Sequence, residues 1–518
     1  MKIEKLLLGL FASFLMVGCS QNDDLPNGGE EAKGKNSYVA VKICAPKTLG
    51  SRATTDDNFA DADGNEALVK NAHFFFFNDQ GQPVNVNEGK NYVIKTISTN
   101  PDNDDNGSTE SMTNAIVVLE KPDVYPTRMA VVLNWDYSGT SLSLNDVSGL
   151  AQQSIDETDA ISETTGFIMS SSVYYKNGIV NYAEITGANF GATPTDAEQK
   201  PVYAYVERLA AKVSASLNDK APKYDSTLEA FDTGVTYKNA QNNEMPIYAK
   251  VLGWQINTTN PSSYLIKMLN KDWGTTDPFT GWNESDKFRS YWGISSTPSK
   301  YEKEEFEYES IKEGFNHVEY CLENTTGNAT KALFKAVIGF NDNGTFKALD
   351  LWQWYGKYYL TPESMLVDVV AMINSEVDKL GANSIDVKEA DIDFVYNNER
   401  ETSYQIHFQL KPTVQDQTIG TKTLSSIVSS IDYAKNWADG RTYYFTSVKH
   451  LNNELAVIRN HAYDLQVTDV KGLGTPVNDN TQPKIPEPVD PGTTETYIAA
   501  QINVLSWRLI NNDVVLGH

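Results

Sequence analysis

Thr496 to Leu509 reads TYIAAQINVLSWRL. Ile498, Ala500, Ile502 and Val504 recur at period two, the pattern of a half-buried β-strand. The phase breaks at Val504-Leu505, and Trp507 and Leu509 continue on the other face, as across a β-bulge. Behind this strand lies Thr475 to Thr494, which carries Pro476, Pro483, Pro486, Pro488 and Pro491. Prolines at that spacing make an extended, semi-rigid tether with no packed structure of its own. An apolar strand is therefore carried on a stiff arm. It has two natural destinations: the last place in its own sheet, or the edge of a sheet in another molecule.

The rest of the chain bears on that choice. Its 518 residues are enough for two or more domains with substantial cores. A net charge of −25 makes nucleic acid and anionic membrane surfaces poor partners. Tyr is the commonest aromatic, and short Val/Ile/Tyr/Phe runs bounded by Asn, Asp and Gly favour β-structure.

The first residues read as a targeting segment. Lys2 and Lys5 precede an apolar stretch, Leu6 to Val17, that is too short to span a bilayer as a stable helix. Met16-Val17-Gly18-Cys19 is similar to a bacterial lipobox, with Met16 where Leu is usual. On that likeness 1–19 is a lipoprotein signal peptide and Cys19 the lipidated position. Ser20 to Asp24 then forms a polar, acidic tether. Residues 20–52 read as a propeptide. Within it Tyr38, Val39, Val41 and Ile43 belong to a strand, with Val39, Val41 and Ile43 on one face. A polar stretch follows, in which Arg52 sits among small residues before Ala53. Extended backbone of that kind is where a trypsin-like protease cuts, although a lone loop arginine is commonly no more than that.

The two ends of the chain match each other. A removable strand near the front and an unpartnered one at the end have similar length and alternation, so one can replace the other. Loss of the first exposes a sheet edge that invites a substitute. Burying the four apolar side chains of the tail is worth on the order of 5–8 kcal/mol. A head-to-tail contact that does not close makes a filament.

Between the ends, 53–217 and 218–474 read as two β-sandwich domains, and 475–518 as the Pro-rich linker and donor strand. The first holds Asn71 to Phe77, Ala115 to Leu119, Met129 to Asn134, Phe167 to Ser171 and Val202 to Leu217. The second holds strands near Ile247–Ile256, Ala332–Ile338, Tyr404–Leu410 and Ala462–Val470. It also holds two helices, one from Thr361-Pro362-Glu363 onward and one over Leu424–Trp437. The fold expected is all-β with small helical insertions.

Chemistry is sparse. His73, His317, His407, His450, His461 and His518 form no HExxH or other close metal pair. No GxSxG, P-loop or GxGxxG is present. Asp102 to Gly107 begins like a calcium loop, but its twelfth position is Thr113 rather than a bidentate Glu, so it reads as a solvated loop. No catalytic residue, metal ligand or cofactor is assigned. A different reading is a monomeric surface lipoprotein that binds glycans through Trp352, Trp354 and Tyr355, residues that can equally be core.

Four stretches then resemble one family in their order along the chain. They are Tyr205-Val206-Glu207-Arg208-Leu209-Ala210-Ala211-Lys212-Val213, Tyr320 to Thr325, Val457 to Tyr463 with Gly472 to Pro476, and Asn503 to Trp507. They are similar to the Bacteroidia major fimbrillins, shaft subunits of type V pili, and the tail is similar to the short fimbrillin class. That resemblance implies two transthyretin-like β-sandwich domains plus a C-terminal donor strand. It implies export as an outer-membrane lipoprotein acylated at Cys19, with palmitate as the expected acyl group. Cleavage between Arg52 and Ala53 by an Arg-specific, trypsin-like protease would remove Tyr38 to Ile43. Ile498, Ala500, Ile502, Val504 and Trp507 would serve as the donor. The implied partners are other copies of this chain, tip and anchor fimbrillins and the protease, with membrane contact only through the precursor's lipid. The implied place is a cell-surface fimbrium supporting adhesion and biofilm.

Overall fold

The computed structural model describes residues 37–46, 66, 68–97, 109–120, 122, 124–144, 150, 154–162, 166–172, 174–175, 179–267, 301–302, 308–324, 330–397, 402–450, 456–478 and 497–505. Cys19, Arg52, Ala53, Asp102 to Gly107 and Trp507 lie outside them.

The first sandwich is built from β1 (Ser37–Pro46), β2 (Asn71–Phe77), β3 (Tyr92–Thr96), β4 (Thr109–Leu119) and β5 (Arg128–Leu133). To these are added β6 (Ser154–Asp156), β7 (Met169–Ser171), β8 (Phe190–Gly191), the short helix α1 (Pro194–Glu198) and β9 (Val202–Arg208). The pairing order is β8 and β9 beside β1, then β7, β5, β2 and β3, with β4 on the other edge of β1. Strand β2 shows why its Phe run does not alternate with polar residues. Phe74 and Phe76 enter the sandwich core with Val39, Val41, Val117 and Val131. Phe75 and Phe77 enter a second apolar layer with Trp135, Leu209, Leu265, Ile266 and Leu322. A strand buried on both faces reads as a continuous apolar run.

That second layer joins the two halves of the chain. Strand β10 (Ala210–Leu217) follows β9 after Leu209 alone, which is fully buried. Arg208 pairs with Met169 of the first sandwich, whereas Ala210 pairs with Leu322 of the second. The strand pairing therefore changes at Leu209, and the boundary expected near Leu217 marks the end of β10.

The second sandwich has β11 (Ala230–Lys238), β12 (Glu244–Thr259), β13 (Ser262–Tyr264), β14 (Val318–Leu322) and β15 (Lys331–Asp342). After an insertion it is completed by β21 (Arg441–Ser447), β22 (Ala462–Lys471) and β23 (Tyr497–Leu505). One sheet runs β14-β10-β22-β23, and the other contains β11-β12-β15-β21. Val213, Tyr463, Leu465, Val467 and Val470 of the first meet Phe231, Ile247, Trp254, Phe334 and Ile338 of the second. The short β13 crosses back to pair with β6, so the two sandwiches share a ladder.

The insertion comprises β16 (Leu351–Trp354), β17 (Lys357–Tyr359), α2 (Pro362–Lys379), β18 (Ile392–Tyr396), β19 (Ile406–Leu410), α3 (Leu424–Ser429) and β20 (Lys435–Trp437). Thr361 caps α2 by accepting from the Ser364 N–H at 3.2 Å, with Pro362 in the first turn. Met365, Val369, Ile373 and Val377 bury one stripe of it. The second expected helix, Leu424–Trp437, is half helix and half strand. Leu424, Ile427 and Val428 are its buried turn, and Lys435–Trp437 instead pairs with β16. Asp439 and Gly440, both at positive φ, turn the chain after β20 and not after a helix.

Candidate strand-replacement site

Strand β1 is an inner strand, paired on both edges. On one side it lies antiparallel to β4 along its whole length, from Ser37 opposite Leu119 to Pro46 opposite Thr109. On the other side Tyr38 and Val39 pair antiparallel with β8, and Val41 to Cys44 pair parallel with β9. Val39 is 0% and Val41 1% exposed, within the core of the first sandwich. Tyr38 is half-buried, and Ile43 sits opposite Ala204 and Thr113 in register. An internal parallel strand needs a crossover from its neighbour. Here the whole of the first sandwich separates β1 from β9 in sequence, so β1 is tied to the rest of the fold covalently only through residues 47–65.

The tail strand β23 lies on its own body. Leu505 pairs with Ala462 and Tyr497 with Lys471, antiparallel, with a register shift between Val467 and Asp469. Ile498, Ala500, Ile502 and Val504 stand opposite Val470, Val467, Leu465 and Tyr463, all of which are buried. Strand β23 ends its sheet, so its one hydrogen-bonded neighbour among the described residues is β22. It is 9 residues long and β1 is 10.

Where the two sandwiches meet lies a buried polar joint. Lys212 donates to the Glu66 carboxylate at 2.7 Å, and the Tyr320 hydroxyl donates to the same oxygen at 2.5 Å. Arg208 donates from Nε to the Glu66 carbonyl at 2.9 Å and from Nη1 to Asn460 at 3.2 Å. Arg459 is fully buried. It donates to the Glu323 carboxylate, to the Tyr264 and Leu265 carbonyls and to the Ser263 hydroxyl. Burial pushes the Glu323 carboxyl up, but Arg459 and Lys267 together with hydrogen bonds from Arg459 and Ser263 outweigh it, and the carboxyl sits below its ordinary range. From sequence alone no chemistry is assigned to Arg208 or Lys212. The available signal was period: Val202, Ala204, Val206 and Arg208 share one face of β9.

The other candidate groups are structural. Trp352 and Trp354 are buried against Met365, Val369 and Ile373, and the Trp354 indole donates to the Asp432 carbonyl at 3.0 Å. Tyr355 alone of the three is open, at 63%. His73 is held by the Tyr137 carbonyl at 2.9 Å, and burial pushes its pKa down. His317 meets the Trp254 carbonyl at 3.1 Å and His461 the Arg459 carbonyl at 2.9 Å. Among the described residues no group of three or more His, Cys, Asp or Glu side chains is arranged to hold a metal ion.

Residues 435–513, from β20 through the tail strand, match the family described as major fimbrial subunit protein type IV, fimbrillin, C-terminal. The fimbrillin match takes in β22 and β23 together, the two strands whose pairing is described above. No curated protein matches the sequence. Similar solved structures include a protein of Parabacteroides distasonis assigned to cell adhesion, 14% identical, covering 92% of this chain and 98% of that one at a TM-score of 0.35. A protein of Bacteroides eggerthii, also assigned to cell adhesion, is 11% identical over 92% and 98%, with a TM-score of 0.32. The tip fimbrial protein Mfa3 of Porphyromonas gingivalis, with a C-terminal truncation, is 10% identical over 91% and 100%, with a TM-score of 0.30. These distant likenesses carry no argument; the similarity to fimbrillins is that of residues 435–513.

Proposed function

We propose that this chain is a structural subunit of a cell-surface fimbrium and that it polymerises when a neighbour's tail strand takes the place of β1. One contrast supports this reading above others. Strand β23 holds one hydrogen-bonded neighbour where it lies, whereas the place of β1 offers two, β4 on one edge and β8 with β9 on the other. A tail that moves from its own edge into a neighbour's vacated slot gains a second ladder, at about 1 kcal/mol per hydrogen bond. It also refills the core positions of Val39 and Val41, each worth about 1.5–3 kcal/mol. The contact is heterologous and does not close, so it propagates as a filament.

In this reading the precursor travels as a lipoprotein acylated at Cys19, and an Arg-specific protease cuts between Arg52 and Ala53. The cut separates β1 from the rest of the fold in sequence. Tip and anchor fimbrillins are the partners expected at the ends of such a filament. Truncation before Thr496 tests the proposal. The truncated subunit should stay folded and monomeric after processing, while the intact one gives ladders on SDS gels. Ladders from the truncated subunit would refute replacement by the tail.

A further inference from the structure

We infer that β1 leaves its slot, and a donor enters, as a directional zipper that opens at the Lys42–Pro46 end and is held at the Ser37–Ala40 end by a clasp made of β8 and α1. The inference deepens the strand-replacement reading and rests on it.

The two halves of β1 are enclosed differently. Val39 and Val41 face the core, so Ala40 faces outward by the alternation of a strand. It is nonetheless buried, at 5% exposure, because α1 packs over β1, β8 and β4 at this end. Gly191 shows how close the layers are. A Cβ there would lie 2.4 Å from the Ala197 nitrogen, so the helix backbone rests directly on β8. The Ser37 hydroxyl meets the Tyr125 hydroxyl at 3.2 Å, and Tyr125 packs on Phe190 of β8 at 4.6 Å between centroids. The front half of β1 thus has β4 on one edge, β8 on the other, the core beneath and α1 above.

The clasp is tied to itself. Thr193 donates from its hydroxyl and its N–H to the Asp196 carboxylate, at 2.6 and 3.0 Å, and the Asp196 N–H returns a bond to the Thr193 hydroxyl at 3.2 Å. Asn189, just before β8, donates to the Lys200 carbonyl just before β9 at 2.9 Å, which closes the clasp at its base.

Past Ala40 the partner on that edge changes to β9 and the cover ends. Lys42 lies over the Tyr203 ring at 5.5 Å, and Tyr203 is 50% exposed. Among the described residues the rear half of β1 therefore has β4 and β9 on its edges and the half-exposed Tyr203 at its outer face, and it is the half next to residues 47–65. A strand enclosed on four sides cannot lift out before its cover moves, whereas the rear half can peel without disturbing any other element. A donor that takes the same direction as β1 must run parallel to β9. Its C-terminal end accordingly seats first in the open half, and its N-terminal end passes under the clasp last.

Amide hydrogen exchange on the full chain, read by mass spectrometry, tests this. Residues 42–45 should exchange before 37–41. Asp196→Ala removes the two bonds its carboxylate accepts from Thr193 in the capping box and should speed opening of 37–41 up to about fivefold, the value of a lost cap, while 42–45 stay at the wild-type rate. Gly191→Ala, which drives α1 off β8, should act in the same direction. Processed protein should then capture a synthetic peptide of residues 496–509 faster in both variants by a similar factor. Exchange of 37–41 ahead of 42–45 overturns the inference. So does capture at the wild-type rate in variants whose 37–41 amides open faster. If no variant and no wild-type protein ever binds the peptide, strand replacement itself falls.

Discussion

Arg459→Met is the most informative single change at the joint between the sandwiches. The guanidinium is fully buried and ties Glu323, Ser263, Tyr264 and Leu265, which come from two separate parts of the chain. Methionine keeps much of the volume and none of the donors. It leaves an ionised carboxylate in the interior with Lys267 as its remaining opposite charge. Removing one partner of a buried pair costs about 3–5 kcal/mol, because the other charge is stranded. For a domain of this size that is about 6–20 °C in Tm, at about 2–4 °C per kcal/mol.

The pH dependence gives a second reading of the same variant. In the native protein the Glu323 carboxyl is held below its ordinary value of 4.5, so its contribution is present above that value and is lost as pH falls through the lower folded one. In Arg459→Met, burial is no longer outweighed and the carboxyl moves up. The penalty should then be largest at neutral pH and shrink toward pH 5, where the buried group takes a proton. A double variant with Glu323→Gln should be less destabilised than Arg459→Met alone. Thermal unfolding followed by circular dichroism at pH 5 and pH 7 is the assay. A Tm within a few degrees of wild type, or a penalty that does not change with pH, would refute the assignment of Arg459 and Glu323 as a buried ion pair.

Three further outcomes are expected, the first of them from the proposed processing. Arg52→Ala should block processing at that position and leave the full-length precursor monomeric; N-terminal sequencing of sheared wild-type fimbriae should begin at Ala53, and any other first residue moves the cut. Trp354→Ala should cost about 3–5 kcal/mol in urea unfolding, as a large buried aromatic, whereas Tyr355→Ala should stay within about 0.5 kcal/mol; the reverse order would return these aromatics to an exposed glycan platform. Gly253→Ala should destabilise the second sandwich by about 1–3 kcal/mol, since its Cβ would lie 2.0 Å from the Lys312 carbonyl oxygen; an unchanged unfolding midpoint would mean that the 308–314 segment is free to move away.

The elements that read well from sequence are those whose burial follows one period. Strand β1 carries Val39 and Val41 into the core at period two and α2 buries one helical stripe, and each appears where the spacing places it. The joint did not read, because its charges are inward and their partners lie far apart in the chain. Arg208 meets Asn460 and Arg459 meets Glu323 across more than a hundred residues. Nothing local marks such a pairing except that Arg208 continues the buried face of β9. The Leu424–Trp437 stretch misled for a different reason. Leu424, Ile427 and Val428 fit a helical stripe, but Asn436 and Trp437 are buried where the chain pairs with β16 and Ala434 bridges Ile406, and a short apolar run serves either period.

In the strand-replacement reading, the place of β1 in the sequence accounts for the need for a cut. While residues 47–65 are intact, β1 competes for its slot as part of the same molecule, at the effective concentration of a short tether, about millimolar. A neighbour's tail arrives from solution, and at micromolar subunit it starts at a disadvantage of about a thousandfold, or roughly 4 kcal/mol. The second ladder that the tail gains is comparable to that disadvantage and does not clearly exceed it. Once the tether is severed, a departed β1 diffuses away and the advantage of being attached is gone. The tail, by contrast, remains joined to its own subunit through the Pro-rich arm, so each capture adds a whole subunit. In the reading argued above, then, the protease supplies direction by changing which strand is tethered, and the sheet that receives either strand is the same before and after.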